Sequence, residues 1–228
     1  MLSYSQIYDP LTDSWSTKPG LPERRRRGAA TAVLVDRKIF VTHGNTGGHE
    51  TGNHSTTLGW LDYFDIDEER WHTNLPNAPN PRDHAGGALV NGRICVAGGR
   101  DGGDIKFSNK LILPTDCYDP VSNTWLVEAN IPFGGAGAAY GTTCDGRLIV
   151  AGGETSSSSP RSNVAVFDGT EWLSIDSLTV ARHGTGLAVD CSCNQIYIAS
   201  GAGSRGGRNE IASVETYFPN GVDEPCNI

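Results

Sequence analysis

The sequence predicts an all-β protein built from repeated four-stranded sheets. Pairs of short apolar runs are joined by tight-turn residues, most clearly at Asn91-Gly92. This dipeptide favours a hairpin because a type I′ turn needs positive φ at both central positions. The 29 glycines suit a chain rich in turns. Tryptophan recurs about every fifty residues, a spacing typical of one blade of a β-propeller, at Trp15, Trp71, Trp125 and Trp172.

The order of residues within each repeat supports the same architecture. In the copy from 82 to 125, Arg82 opens the first strand, Gly98-Gly99 ends the second, Tyr118-Asp119 ends the third and Trp125 lies on the fourth. This order resembles the kelch repeat, and the resemblance covers nearly the whole chain. It implies a kelch-type β-propeller with four recognisable blades and an N-terminal half-blade. Three positions depart from the pattern, namely His43, Gly135 and Ser200.

The repeats divide the chain into six predicted segments. They are 1–22 for the second half of a blade, 23–76, 77–130 and 131–178 for three blades, 179–219 for a blade that lacks its last strand, and 220–228 for a tail. Both Gln6–Tyr8 and Val214–Tyr217 are predicted to be third strands, so a closed ring of four blades would have one third strand too many. We therefore expect a possibly incomplete propeller, a fragment of one with six blades.

Charge and hydropathy narrow the class of partner. The formal net charge is −8 at pH 7, which argues against nucleic acid as the main partner because phosphate binding needs a basic surface. No apolar run is long enough to span a bilayer. The four arginines at 24–27 are interpreted as a solvated loop in which only Arg27 has a structural place, rather than as an anion-binding patch.

The six cysteines bear on the compartment in which the protein works. Cys95 and Cys117 fall on neighbouring strands of one blade, so a bridge between them is possible but not implied. Cys144 and the pair Cys191/Cys193 are expected on one rim of successive blades, with a spacing that is poor for zinc. The sequon Asn53-His54-Ser55 and the similarity to secreted kelch-like proteins favour an extracellular location, with a cytoplasmic one as the alternative.

The predicted ligand face follows from hairpin topology. The residue that begins a first strand and the residue that ends the second lie at the same end of the hairpin, so the repeated arginines share a face with the loops 45–61 and 100–112. Guanidinium groups beside carboxylates and an aromatic ring suit a peptide or a sugar. We predict a protein or glycan ligand at Arg27, Trp60, Arg82, His84, Arg100, Asp101, Arg182 and His183. The alternative is that each repeated arginine bonds loop carbonyls and neighbouring carboxylates.

Metal binding and catalysis are the remaining alternatives. Four histidines near the same rim, His43, His49, His84 and His183, would suit a metal. Their periodic placement favours structural roles, so we predict no metal and no cofactor.

Kelch-like propellers also include copper radical oxidases and sialic-acid epimerases. The oxidase set cannot be mapped onto this chain, whereas Arg82, His84, Arg182 and His183 imitate an epimerase channel. No nucleophile is paired with a base, so we predict a non-catalytic binding module and keep a sugar-modifying enzyme as the alternative.

Overall fold

The computed structural model describes residues 4–47, 56–102 and 110–219, and these are almost entirely β-structure. A single 3-10 turn occurs among them, at Glu23–Arg25. No helix in these ranges is long and apolar enough to cross a membrane.

The strands follow one another in four meanders and an initial hairpin. The hairpin is β1 (Tyr4–Asp9) and β2 (Ser14–Pro19). Blade 1 holds β3 (Thr31–Val35), β4 (Lys38–Thr42), β7 (Leu61–Asp65) and β8 (Arg70–His72), with β5 (Asn45–Thr46) and β6 (Thr56–Thr57) paired beside it. Blade 2 holds β9 (Gly86–Val90), β10 (Arg93–Ala97), β11 (Pro114–Asp119) and β12 (Thr124–Asn130). Blade 3 holds β13 (Ala139–Thr142), β14 (Leu148–Ala151), β15 (Val164–Phe167) and β16 (Trp172–Ile175). Blade 4 holds β17 (Leu187–Asp190), β18 (Gln195–Ala199) and β21 (Val214–Tyr217), with β19 (Ala202–Ser204) and β20 (Arg208–Glu210) paired beside it.

Every blade is antiparallel, and each strand pairs with its neighbour in the meander. The prediction of an all-β propeller with four blades and a preceding half-blade is therefore confirmed. The Asn91-Gly92 turn has the predicted geometry, with φ of 51° and 77°, and it sets the register Arg93↔Val90 and Ala97↔Gly86.

Two ladders of backbone hydrogen bonds join successive blades. In the first, the glycine that ends a second strand donates its N–H to the carbonyl of the residue that begins the next blade, over 2.8 to 2.9 Å, in the pairs Gly44–Arg82, Gly99–Gly135 and Gly153–Arg182. In the second, N–H groups of equivalent residues donate to the previous blade, from His84 to Ala29, from Gly137 to His84 and from Gly184 to Gly137. The inner ends of the blades are thus tied together through main-chain atoms.

The departures from the Gly-Gly pattern keep the backbone conformation of the repeat. His43 and Ser200 have φ of 61° and 53°, close to the 65° of Gly98 and the 73° of Gly152. Because a residue with a Cβ pays a steric cost at positive φ, the repeat imposes the conformation and these two side chains tolerate it.

Apolar side chains fill the spaces between neighbouring blades. Phe40 and Leu61 of blade 1 pack against Ile94 and Tyr118 of blade 2, and two similar clusters join the later blades. Disulfides join Cys95 to Cys117 across β10 and β11, and Cys144 to Cys191 between blades 3 and 4. Cys193 is disulfide-bonded as well.

Candidate functional site

Three arginines that we predicted on the ligand face lie inside the blades. The side chains of Arg27, Arg82 and Arg182 have no exposed area, and each pairs with an acid of its own blade. The N–O distances are 2.7 Å to Asp62, 2.9 Å to Asp116 and 2.6 Å to Glu215. The structure therefore removes these arginines from the surface on which we expected a ligand.

The same guanidinium groups also bond the backbone where the second strand ends. Arg27 donates from Nε to the His43 carbonyl over 2.7 Å, and Arg182 donates from Nη1 to the Ser200 carbonyl over 2.9 Å. Arg82 donates from Nη1 to the Gly98 carbonyl over 3.2 Å. These contacts agree with the alternative considered from the sequence, in which each repeated arginine bonds loop carbonyls and a neighbouring carboxylate. Each arginine thereby holds three strands of its blade together.

The partner acids occupy one repeated position that the sequence interpretation did not use. Asp62, Asp116 and Glu215 lie at equivalent places on the third strands, each two residues before an aromatic residue, namely Phe64, Tyr118 or Tyr217. In blade 3 that place is Ala165, and the arginine is absent too because Gly135 stands there. An arginine and its acid are therefore present together or absent together.

This pairing also identifies the third strand of blade 4. Glu215 on β21 neutralises Arg182, whereas the equivalent residue of β1 is Gln6, which carries no charge. Of the two candidate third strands, β21 therefore belongs to blade 4, and β1 belongs to a separate half-blade that pairs with β2.

The pair in blade 2 carries a third titratable group. His43 of blade 1 is fully buried, and its Nε2 lies 3.7 Å from Asp116 Oδ2. Burial lowers the pKa of His43 to about 4, and the nearby charge of Arg82 contributes in the same direction. Burial also lowers the pKa of Arg82, against the opposing charge of Asp116. Neutral imidazole thus lies beside a buried ion pair.

The end of each blade at which the first strand begins and the second strand ends, which we call the channel face, holds a second set of repeated positions. At these positions the backbone repeats and the side chains do not. The residue after the repeated arginine and the residue after the repeated glycine form a two-way backbone bridge in every blade, at Gly28↔Asn45, Asp83↔Arg100, Ala136↔Glu154 and His183↔Ala202. We call the polar members of this set the bridge ring: Asn45, Asp83, Arg100, Glu154 and His183.

Contacts between polar side chains connect the bridge ring across blades 2, 3 and 4. Arg100 contacts Asp83 of its own blade and Glu154 of the next, each over 3.3 Å. Glu154 lies 3.7 Å from Nδ1 of His183, whose Nε2 bonds the Ser204 carbonyl over 2.9 Å. Architecture alone does not demand these residues, since Ala136 and Ala202 serve at equivalent places. The bridge ring is therefore where this chain differs from its own repeat.

His84 is a partly exposed residue that contacts the bridge ring. Its Nδ1 lies 2.5 Å from Asp83 Oδ1, and 30% of its side chain is exposed. Burial alone would raise the pKa of Asp83, but hydrogen bonds from His84 and Asn45 and the charge of Arg100 lower it below its usual value. Asp83 is thus held as a carboxylate beneath a partly exposed imidazole.

Trp60 and Asp101 lie beside other charged groups. The Arg25 guanidinium lies 4.3 Å from the centroid of the Trp60 ring and pairs with Asp62 over 2.8 Å. Arg25 therefore has a structural contact, which the sequence interpretation had given to Arg27 alone. Asp101 accepts hydrogen bonds from Thr57 and from Lys110.

The three described histidines that were considered for a metal contact different acids: His43 lies beside Asp116, His84 beside Asp83 and His183 beside Glu154. Among the described residues, Asp65, Glu68 and His72 are the group whose ligand atoms lie within 4.8 Å of one another, and they lie at the turn between β7 and β8 of blade 1. Glu68 there pairs with Arg70 over 2.6 Å and with His72 over 2.8 Å. His49 and the sequon at 53–55 lie outside the described residues.

No protein-family model matches this sequence. Among curated proteins, the chain is 30% identical to "Kelch-like protein terF" of Aspergillus terreus over 193 residues, which cover 81% of this chain and 40% of that protein. It is 28% identical to human "Kelch-like protein 35", covering 67% and 23% of the two chains, and 26% identical to "Alpha-scruin" of Limulus polyphemus, covering 86% and 21%. The chain thus spans less than half the length of these relatives.

A solved structure has the same fold. The chain superposes on the protein of "Structure of YjhT" with a TM-score of 0.67, covering 94% of this chain and 88% of that one at 14% identity. At this identity the likeness concerns the fold alone. With four meander blades, repeated arginine, glycine and tryptophan positions, and relatives that are kelch proteins, the chain belongs to the kelch-repeat family of β-propellers.

Proposed function

We propose that the chain is a binding module that takes a protein segment at the channel face around the bridge ring. The observation that carries this proposal is the break in periodicity: the backbone bridges repeat in all four blades, while their side chains are amide, carboxylate, guanidinium and imidazole. Residues that the fold does not require, gathered at one end of a rigid scaffold, are those that a binding function uses.

The chemistry of the face suits an extended peptide with polar groups of both signs. His84 is partly exposed, and Asp101 is 32% exposed in its side chain. Behind them Arg100 is held by Asp83 and Glu154, so the second layer is already fixed before a ligand arrives. Such pre-organisation lowers the entropy cost of binding.

Binding is favoured over catalysis by the placement of the arginines. The sugar-modifying alternative required Arg82 and Arg182 to reach a substrate, and both are enclosed in ion pairs without exposed area. Nε2 of His183 donates to the Ser204 carbonyl over 2.9 Å, and its Nδ1 faces Glu154 at 3.7 Å, so both ring nitrogens face protein groups. His84 is left as the exposed member of that set, and one imidazole with its orienting acid does not provide a complete catalytic constellation.

The test is selection of ligands on the whole chain, followed by substitution. Random twelve-residue peptides displayed on phage are panned on the protein, and a glycan array is probed in parallel. We expect selected peptides to bind His84→Asn and Asp101→Ala at least about 10-fold more weakly, as for central contacts of an interface. Asparagine is used because it tolerates the φ of 53° at this position.

Val121→Ala is the matched control, because Val121 is 95% exposed on a turn of blade 2. Peptides whose affinity is unchanged by both face substitutions would move the site elsewhere. Selection of glycans without peptides would replace the proposed ligand class.

We also propose that the protein works in an oxidising compartment. Support comes from two disulfides at sites fixed by the fold: Cys95 lies directly opposite Cys117 in the strand register, and Cys144 meets Cys191 across two blades. Mass spectrometry of protein from its native source, alkylated before unfolding, is expected to show these four thiols blocked by bridges. Alkylation of all four would favour the cytoplasm.

A further inference from the structure

One position of the repeat is apolar in three blades and charged in blade 3. In every blade, a residue just before the third strand donates its N–H to the carbonyl of the glycine that ends the second strand, over 2.8 to 3.1 Å. The pairs are Leu58–Gly44, Ile112–Gly99, Arg161–Gly153 and Ile211–Gly201. Because the same backbone contact forms with leucine or isoleucine, the fold does not require a charge here. Arg161 is therefore a particular feature of blade 3.

The backbone orients Arg161, and its charge has no acidic partner. The side chain donates from Nε to the Gly134 carbonyl over 2.6 Å. In the part of the chain that the structure describes, no carboxylate pairs with Arg161, and its two Nη atoms bond no other group. Glu154, an acid of the same blade, contacts Arg100 and His183 instead. Both Nη groups of Arg161 therefore keep their donors for a ligand.

Arg161 lines a cavity of about 480 Å³ between blades 2 and 3. The apolar wall of this cavity comes from Leu111 and Leu113, which precede β11, and from Pro132 and Phe133 in the link to blade 3. Phe133 is 8% exposed and Leu113 is 39% exposed, so the wall runs from a buried ring to the surface. Cavities of this size hold small ligands or single side chains of a partner.

The cavity adjoins the bridge ring. Leu111 forms a backbone bridge with Arg100, and the N–H of Arg161 bonds the carbonyl of Gly153, which directly precedes Glu154. A peptide bound over the bridge ring therefore reaches the cavity without leaving the channel face.

We propose that this cavity takes a leucine-like side chain of the peptide ligand, while Arg161 binds the carboxylate of an aspartate or glutamate next to it in the peptide. The assignment rests on the proposed function, because it names the chemistry of a peptide bound at that face. An unpaired guanidinium with free Nη donors binds a carboxylate through two parallel hydrogen bonds. Its charge selects the acid, and the apolar wall selects the neighbouring side chain.

A matched pair of small probes tests the chemistry of the cavity without any selected peptide. N-acetyl-leucine carries a free carboxylate, whereas N-acetyl-leucinamide has the same side chain and no charge. Both are titrated into the isotope-labelled whole chain, and binding is followed by two-dimensional NMR. We expect the acid to bind about 10-fold more tightly than the amide, as for one hydrogen-bonded contact to a charged group.

Arg161→Ile gives blade 3 the residue that Ile112 and Ile211 provide at the same place in blades 2 and 4. The variant is therefore expected to fold, which near-ultraviolet circular dichroism checks, and it should bind the acid and the amide equally. Arg37→Gln is the matched control, because the Arg37 side chain is 64% exposed in the turn between β3 and β4, at the other end of the blade. This variant should keep the preference for the acid.

Peptides selected on the whole chain test the source of the carboxylate. We expect an acidic residue beside an apolar one in these peptides. Exchange of that acid for its amide should weaken binding to the wild type about 10-fold and leave binding to Arg161→Ile unchanged.

The outcomes separate this inference from the proposed function. Equal binding of the two probes to the wild type, or an acid preference that persists in Arg161→Ile, overturns the inference. Peptides that depend on His84 and Asp101 but not on Arg161 also overturn it, and leave the proposed function standing. If no peptide is selected while the acid probe still requires Arg161, both fail, and the cavity is a site for a small carboxylic acid.

Discussion

Blades 2 and 3 are neighbours with the same topology, but different residues occupy the end of the sheet where the second strand ends. Blade 2 places Arg82 and Asp116 in a buried pair at 2.9 Å, both without exposed area. Blade 3 has Gly135 and Ala165 at the equivalent positions. The backbone is unaffected, because the carbonyl of Gly135 accepts the N–H of Gly99 as the carbonyl of Arg82 accepts that of Gly44.

This difference shows that the repeated arginine is not required to build a blade. Once present, however, it needs its acid, since a buried charge that loses its partner is strongly destabilising. The pair is therefore better described as one unit of the repeat than as two positions. The conclusion is open to direct tests at both blades.

Asp116→Ala should have the largest effect. It leaves Arg82 buried without a carboxylate and also removes the acceptor of the Asn80 amide, 2.7 Å away. We expect the free energy of unfolding to fall by about 3–5 kcal/mol, measured by urea denaturation at pH 7. Asp67→Ala, at a side chain that is 63% exposed, is the control and should change stability by less than about 0.5 kcal/mol.

The double substitution Arg82→Gly with Asp116→Ala gives blade 2 the residues of blade 3. If charge compensation is the reason for the pair, the double variant should lose less stability than Asp116→Ala alone, in spite of the space it leaves. Losses that add in the double variant would contradict the comparison and show that the arginine stabilises blade 2 through its carbonyl contacts.

The same comparison explains which parts of the molecule the sequence could predict. Trp71, Trp125 and Trp172 recur within a similar order of neighbouring residues, so the sequence repeat alone predicts the blades. Asp62, Asp116 and Glu215 differ in type and one blade lacks the acid, so no sequence pattern marks them until Arg27, Arg82 and Arg182 are seen to face inward.

The bridge ring was hard to predict for the opposite reason. Arg100 and His183 were expected on the ligand face, but Asn45 and Glu154 were not singled out as ligand contacts, because a search for repeats passes over residues that do not repeat. The contact between Arg100 and Glu154 joins residues of different blades, and only the three-dimensional arrangement reveals it. A search for breaks in the repeat at backbone-bridge positions would have found them.

The free energy of unfolding should also depend on pH, because His43 is buried where blade 1 meets blade 2. This is the second-largest expected effect. The pKa of His43 in the folded protein is about 4, below the usual value of about 6.5 for an unfolded chain. Between these values the unfolded state binds more protons, so stability falls as the pH decreases from 6.5 towards 4. At about 1.4 kcal/mol per pKa unit the loss reaches about 3 kcal/mol.

Urea denaturation at half-unit pH steps measures this loss, and His43→Asn, which tolerates the positive φ, should flatten the curve in that window. The lowered pKa of Asp83 affects stability only at lower pH. An unchanged slope in His43→Asn would assign the pH dependence to another group.

The smallest expected effect lies at the matching junction of blade 3. Gly98 occupies there the place that His43 occupies beside blade 2, and the partly buried Tyr140 fills the space, its hydroxyl 3.4 Å from the His84 carbonyl. Burial raises the pKa of Tyr140, so its phenol remains neutral. Tyr140→Phe keeps the ring and removes one neutral hydrogen bond, so we expect a loss of about 0.5–1.5 kcal/mol with no pH dependence between pH 4 and 8. A loss as large as that of Asp116→Ala would show that the hydroxyl holds the inner ladder at His84, and the two junctions would then be equally dependent on a buried polar group.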